Sequence, residues 1–322
     1  MLDLNRLRVL QEVARGGSFS AAARALHITP SAVSQQISAL ERGVGVPVVT
    51  RGARGVALTD PGRLLVQAVD NLTGDLRHVE RHLAAYADGD SGRLAVASFP
   101  SAGHSLLPLA LAPLTRRPDV EVTVREAETE QAVPLLRAGE VDLALVYHNF
   151  TPDPPREWAD DLHHTPVLHE EFFAVVPATH AFAARDRLAF GELAGEWWVH
   201  GTGLFAAQID AYCAAAGFRP RAACRSADTT FMQTMVAAGV GVGIMPAVAV
   251  ARHLDGMVAV PIVDPPMRHV GVLHRRDRWQ PPLAVELVEL LGSTARALTV
   301  PGTRASTADN DATARRERSH LL

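Results

Sequence analysis

Apolar positions set the frame in which this chain is read. On the segment opened by Thr29-Pro30, Val33, Ile37, Leu40 and Val44 recur at spacings of four, three and four, which predicts one buried stripe along an α-helix. Ser31, Ser34, Gln35 and Ser38 fall off that stripe. Just upstream, Ser18 is placed to cap a short Ala-rich helix from Ser20 to Leu26, and His27-Ile28 make a turn. Thr29 then supplies a capping hydroxyl and Pro30 a proline at the first helical position. Two helices joined by a tight turn are predicted. Short hydroxyls and an amide near the start of the second helix suit a duplex major groove, where Gln pairs adenine bidentately and Ser meets base edge or phosphate.

A different period begins at Pro61. Leu65, Val69, Leu72, Leu76, Val79, Leu83 and Tyr86 alternate spacings of four and three, a heptad seam that one helix alone has nothing to bury against. Charged Arg63, Asp70, Asp75, Arg77, Glu80 and Arg81 lie off it. A long helix that pairs with a second copy is the expectation. Ala87-Asp88-Gly89-Asp90-Ser91-Gly92 ends it. Beyond, short apolar runs alternate with helical patterns: strands over 93–99, 120–126 and 141–147 with helices over 105–117 and 130–138. A second set has strands over 171–176, 197–200, 221–226 and 240–245 with helices over 204–216 and 228–238. Strands over 257–262 and 268–274 and a helix over 283–298 close the pattern. This alternation predicts α/β architecture with a largely parallel sheet. From Pro301 to Leu322 the chain is small, polar and charged, and order is not expected there.

Charge separates these regions. The 322 residues carry a formal −4, whereas residues 1–60 hold seven arginines against four acids and are therefore +3. Arg51 and Arg54 flank Gly52-Ala53 in a predicted basic wing, able to reach phosphate or a minor groove. No basic segment followed by an apolar one opens the chain, so the cytoplasm is the expected compartment. The longest uncharged run, Met235 to Ala251, is interrupted by three glycines and Pro246 and does not read as a membrane span.

The first 62 residues resemble the N-terminal domain of LysR-type transcriptional regulators. The shared residues are Leu4, Leu7, Val13-Ala14, Gly17-Ser18-Phe19-Ser20 and Ala22-Ala23, then Ser31, Val33, Ser34, Gln36, Ile37, Leu40 and Glu41. Arg51, Arg54, Val56, Leu58-Thr59 and Gly62 complete the pattern. Val48-Val49 stands where the family usually has Leu-Phe, a change expected to loosen packing under the wing. The resemblance implies a winged helix-turn-helix over 1–60, a linker helix for dimerisation over 61–88, a hinge over 89–92 and a two-lobed, periplasmic-binding-protein-like effector domain over 93–300. Lobe I would be 93–163 with 268–300 and lobe II 164–267, with crossovers near 163–168 and 264–268. It also implies double-stranded DNA, a small-molecule effector and a homodimer or homotetramer, with RNA polymerase open as a further partner.

On that reading the DNA-facing residues are Ser18, Thr29, Pro30, Ser31, Ser34, Gln35, Ser38, Arg51 and Arg54. Ligands of open α/β sheets collect at carboxyl ends of strands, beside helix N-termini. Ser98, Pro100 and Ser101 after the first strand, Thr202 before the 204–216 helix and His148 after Tyr147 are such places, and the resemblance adds Phe231. Two helix N-termini facing one cleft would favour a carboxylate. Catalytic and metal motifs are missing: His163-His164-(x4)-His169 has no ligand spacing and reads as surface histidines, and neither H-E-x-x-H nor G-x-S-x-G occurs. No cofactor is expected. Two readings compete with a ligand-responsive regulator: an α/β enzyme fused to a DNA-binding module, and a redox sensor using Cys213 and Cys224.

Overall fold

The computed structural model describes residues 2–52, 55–87, 92–149, 153–251, 255–276, 280–298 and 303–305. They form two compact units, one made chiefly of residues 1–83 and the other of residues 84–136 and 141–322.

In the first unit, helix α1 spans Leu4–Gly16, α2 Phe19–Ala25 and α3 Pro30–Val44. Each start is fixed by a side chain that meets an orphan backbone donor: Asp3 accepts from the Asn5 N–H, Ser18 from Ala21 and Thr29 from Ala32. Gly17 and Gly45, at φ +63 and +79, close α1 and α3 in the left-handed conformation. Leu7, Leu10 and Val13 of α1, Ala22 and Ala23 of α2, and Val33, Ile37 and Leu40 of α3 meet in one core. Strands β1, Val49–Gly52, and β2, Gly55–Leu58, pair antiparallel as the wing. Val48 and Val49 are both buried in the same core.

The wing is tied down at three points. Glu41 Oε1 accepts from the Val48 N–H at 2.9 Å, Thr59 Oγ1 donates to the Pro47 carbonyl at 2.8 Å, and the Val56 N–H donates to the Gly17 carbonyl at 2.9 Å. Helix α4, Asp60–Ala87, then starts so close beneath β1 that a Cβ on Gly62 would lie 2.0 Å from the Val48 carbonyl oxygen. The expected seam divides along α4: Leu65 and Val69 pack into the first unit's own core, whereas Leu72, Leu76, Val79 and Leu83 are about half exposed. The side chain of Tyr86 and residues 89–91 of the expected hinge lie outside the described residues.

The second unit holds two sheets' worth of strands joined by one long strand. Strands β3 (Gly92–Ser98), β4 (Val120–Glu126) and β5 (Leu143–Asn149) pair in parallel around β3. Strand β6 runs unbroken over Leu162–Pro177. After it come β7 (Trp197–His200), β8 (Arg221–Arg225), β9 (Gly243–Pro246), β10 (Met257–Pro261) and β11 (Met267–Arg275). Strand β11 lies antiparallel between β5 and the first half of β6, while β9 and β10 flank the second half of β6, also antiparallel. Strands β7 and β8 pair in parallel, and Val242, at the approach to β9, bridges to Trp198. The sheet is therefore mixed, not largely parallel: β6 runs in the same direction as the first three strands, whereas β9, β10 and β11 run against them.

Helix α5 (Pro100–His104), α6 (Leu106–Thr115) and α11 (Pro282–Ala297) lie against one face of the first lobe, and α7 (Thr129–Arg137) packs on the other. In the second lobe α8 (Gly203–Ala215) and α9 (Thr229–Ala237) take opposite faces, with the short α10 (Ala247–Val250) after β9. Alternation along β6 serves both faces, Phe172, Ala174 and Val176 toward α8 and Phe173 and Val175 toward α9. Two boundaries differ from the expectation. Val167 and Leu168 belong to the core of the first lobe, so β6 passes between lobes after Leu168 as a strand instead of a crossover at 163–168. Thr303–Ala305, expected without order, form strand β12 on the otherwise unpaired edge of β6 at residues 168–170. Backbone donors on an open strand edge recruit such a segment whatever its side chains. The rest of 301–322 lies outside the described residues.

Because the Gly62 clash is with backbone, Gly62→Ala should destabilise the full chain by about 2 kcal/mol or more, while Gly43→Ala, with open space around its Cβ on α3, should be neutral or stabilise by up to ~1 kcal/mol. Chemical denaturation of both variants checks this, and equal midpoints would contradict it.

Candidate functional site

Helix α3 offers the first candidate surface. With Val33, Ile37 and Leu40 turned into the core, Thr29, Pro30, Ser31, Gln35 and Gln36 are exposed and Ser34 and Ser38 half-buried. Thr29 and Ser31 hydroxyls are 2.9 Å apart beside the helix N-terminus, where unpaired N–H groups and the dipole draw anions. Ser18 sits at the start of α2 with its hydroxyl engaged in the cap. Arg54 and the side chain of Arg51 lie outside the described residues.

The second is a cleft in the second unit, about 440 Å³ of empty space that includes its opening to solvent. Its floor is a buried ion pair. Arg268 on β11 and Glu170 on β6 are register partners; Arg268 Nε donates to Glu170 Oε1 at 2.7 Å, and Glu170 Oε2 accepts from the Val248 N–H at 2.8 Å. Glu170 is 0% and Arg268 3% exposed, so neither charge has water to fall back on. Arg268 Nη2 also donates to Ser101 Oγ at 2.9 Å, and its guanidinium lies 4.9 Å from the Phe99 ring and 5.0 Å from Tyr147. Tyr147 in turn donates to Glu128 Oε2 at 3.0 Å. Burial pushes the Glu128 carboxyl above the ordinary carboxylate range, only partly offset by that hydrogen bond and by Arg268. Burial likewise raises the Tyr147 phenol, so it stays a donor.

Of the residues expected at a ligand site, Pro100, Ser101 and Thr202 line this cleft together. Three others do not. Ser98 is buried with its hydroxyl donating to the Phe99 carbonyl. His148 leaves β5 on the face opposite Tyr147, because neighbours on a strand point to opposite sides, and it stacks on His269 at 5.2 Å beside Trp158 and His164. Phe231 is 42% exposed on α9, and the cleft takes Thr229 and Met232 instead. The approach to α8 is also not open to a ligand as expected: Glu130 Oε1 accepts from the Leu204 N–H at 3.0 Å. Of the histidines of β6, His163 is exposed as expected, but His164 is half-buried and His169 Nδ1 lies 2.6 Å from His269 Nδ1. Arg268, Glu170 and Glu128 were missed. Their one signal was a charge of each sign inside otherwise apolar strands, Glu170 before Phe172-Phe173 and Arg268 before Val270, which becomes a pair only once register is known.

A winged helix-turn-helix and a two-lobed α/β body with a cleft define the class of bacterial one-chain regulators that couple DNA to a small molecule. Residues 4–63 match the family model for bacterial regulatory helix-turn-helix proteins of the lysR family, and residues 87–296 match the LysR substrate binding domain. The chain belongs to the LysR family. It is 30% identical over 298 residues to the transcriptional regulator IlvR of Caulobacter vibrioides, covering 88% of this chain and 95% of that protein. It is 27% identical over 280 residues to the hydrogen peroxide-inducible genes activator of Pectobacterium carotovorum, covering 85% and 90%. Among solved structures, full-length CbnR complexed with target DNA superposes with a TM-score of 0.56 at 23% identity, covering 91% of this chain and all of that one, which shows a shared fold. No helix among the described residues is long and apolar enough to cross a membrane. Nor does any group of three His, Cys, Asp or Glu among them form a metal cage.

Neutralising one member of a buried pair strands the other. Glu170→Gln should therefore cost about 3–5 kcal/mol of stability, far more than removing the exposed Arg93–Glu121 pair, worth ~1 kcal/mol or less. Thermal melts of Glu170→Gln and Glu121→Gln compare the two, and similar losses would show the pair is not the floor of the cleft.

Proposed function

We propose that this chain is a sequence-specific transcriptional regulator in which α3 lies in the major groove and the cleft binds the effector that changes its hold on DNA. The observation that carries the reading is the division of α3 into an apolar side buried in the core and an exposed side holding Ser31, Gln35 and Gln36. Gln35 would read a base, with Ser34 and Ser38 beside it, while Ser18, Thr29 and Ser31 would hold phosphate and Arg51 and Arg54 would add wing contacts. The exposed seam of Leu72, Leu76, Val79 and Leu83 would pair two copies, placing two reading helices on two half-sites. A tetramer of such dimers and contact with RNA polymerase are compatible extensions, and a protein working on chromosomal DNA belongs in the cytoplasm. No catalytic step is assigned. The effector would shift the population of lobe arrangements by binding one better than the other.

The similarity to peroxide-inducible activators favours a second reading, oxidation at Cys213 and Cys224. The chemistry of Cys213 opposes it, because burial and Asp210 push its thiol up to about 12, leaving almost no thiolate near neutral pH. Thiol counts before and after mild peroxide should be equal. Loss of two thiols with altered DNA binding would establish the redox reading instead.

In anisotropy titrations against operator and random duplexes, Gln35→Ala should lose about 1–3 kcal/mol of discrimination, whereas Arg51→Ala should weaken both duplexes alike and lower the salt slope by about 1. Unchanged curves for both variants would remove α3 and the wing from the interface.

A further inference from the structure

The cleft carries a charge balance that selects among ligands. Two features that would draw an anion already hold carboxylates of the chain itself. Arg268, the cation of the cleft, is engaged by Glu170. The N-terminus of α8 is engaged by Glu130. A carboxylate ligand would have to displace or crowd these groups. Glu128 is in the opposite situation. It lines the cleft, its Oε2 accepts the neutral Tyr147 hydroxyl, and Glu126 and Glu130 add negative surroundings that work against the pull of Arg268. Arg268 and Glu170 are paired with each other, so Glu128 is the carboxyl of the cleft left to gain a negative charge when a cation arrives. Phe99, Phe205, Met232 and Met245 supply apolar walls around it.

We propose that the effector carries a protonated amine and that Glu128 is the carboxylate that receives it. The inference rests on the reading of the cleft as the effector site. An ammonium ion meets the half-buried Glu128 with a charge-assisted hydrogen bond, and the rest of the molecule packs on the aromatic and methionine walls.

The protonation of Glu128 gives the binding a pH signature. Its carboxyl is raised in the folded chain, so an arriving ammonium must expel a proton; affinity should rise with pH from the ordinary carboxylate range through the raised value, then level until the amine itself deprotonates near ~10. In the free protein the sign is the reverse. A raised folded pKa stabilises the protonated form, a contribution present at acid pH and lost as pH rises through that value. Glu128→Gln should therefore raise the neutral-pH Tm of the unliganded chain by about 1–4 °C while removing the ligand's anchor.

The experiment is thermal shift and calorimetric binding on the full chain with two matched sets at millimolar concentration: phenethylamine, phenylalanine and 3-phenylpropionate, and butylamine, norvaline and pentanoate. Amine-bearing members should raise the Tm, the desamino carboxylates should not, and Glu128→Gln should weaken amine binding at least tenfold. If no amine-bearing member binds, or if they bind Glu128→Gln as well as the parent, the proposal is overturned. Carboxylates that bind in a manner abolished by Ser101→Ala and Thr202→Ala would overturn it while keeping the cleft as the effector site. Binding indifferent to every cleft substitution would overturn both.

Discussion

The pair formed by Glu170 and Arg268 is the constraint on which the second unit turns. Two charges with almost no solvent access persist only when each is met by fixed partners, and here these are the Ser101 hydroxyl and the N–H of Val248, a residue of α10 whose side chain packs into the first lobe's core. The pair sits where β6 passes from one lobe to the other, beside the return of the chain at Pro266, whose carbonyl accepts from the Phe172 N–H. A strand running through both lobes cannot hinge freely, so the pair and the two crossing segments together define the cleft's floor. Ligand selectivity follows from the same fact. A cation already neutralised from below leaves the acidic wall to decide what enters.

The first unit solves another problem with the same economy of parts. A domain of about sixty residues has little interior, and each of its three helices buries one stripe in a shared core. Most polar side chains are thereby forced outward, Gln11 excepted, and the caps that start α2 and α3 set hydroxyls at the two helix N-termini. The close approach of Gly62 to Val48 locks the wing to the start of α4, which keeps a two-stranded ribbon of four residues a side from fraying.

Sequence carried the first unit almost residue by residue, because helix period, caps and turn are local signals. Ser18, Thr29 and Pro30 each declare a helix start from their own chemistry, whereas Gly17 and Gly45 emerged as helix ends only in the structure. The second unit was legible as α/β and as two lobes, but not in detail. Strand direction depends on which strand is nearest in space, so the antiparallel returns of β9, β10 and β11 were hidden, as was β12, which pairs through backbone alone. Ser101 and Thr202 could be found at strand ends. Glu170, Arg268 and Glu128 could not, since their meaning lies in register and burial. His148 failed for a related reason: one residue along a strand changes the face, and Tyr147 took the cleft.

The account holds that a surface of α3 fixed by core packing chooses among DNA sequences. Selection from a random duplex pool by the purified chain, followed by sequencing of the retained fraction, tests this most directly. It predicts an enriched, two-fold-symmetric motif with half-sites about one helical turn apart. A retained pool with the composition of the starting one, at an ionic strength where binding is measurable, would contradict it.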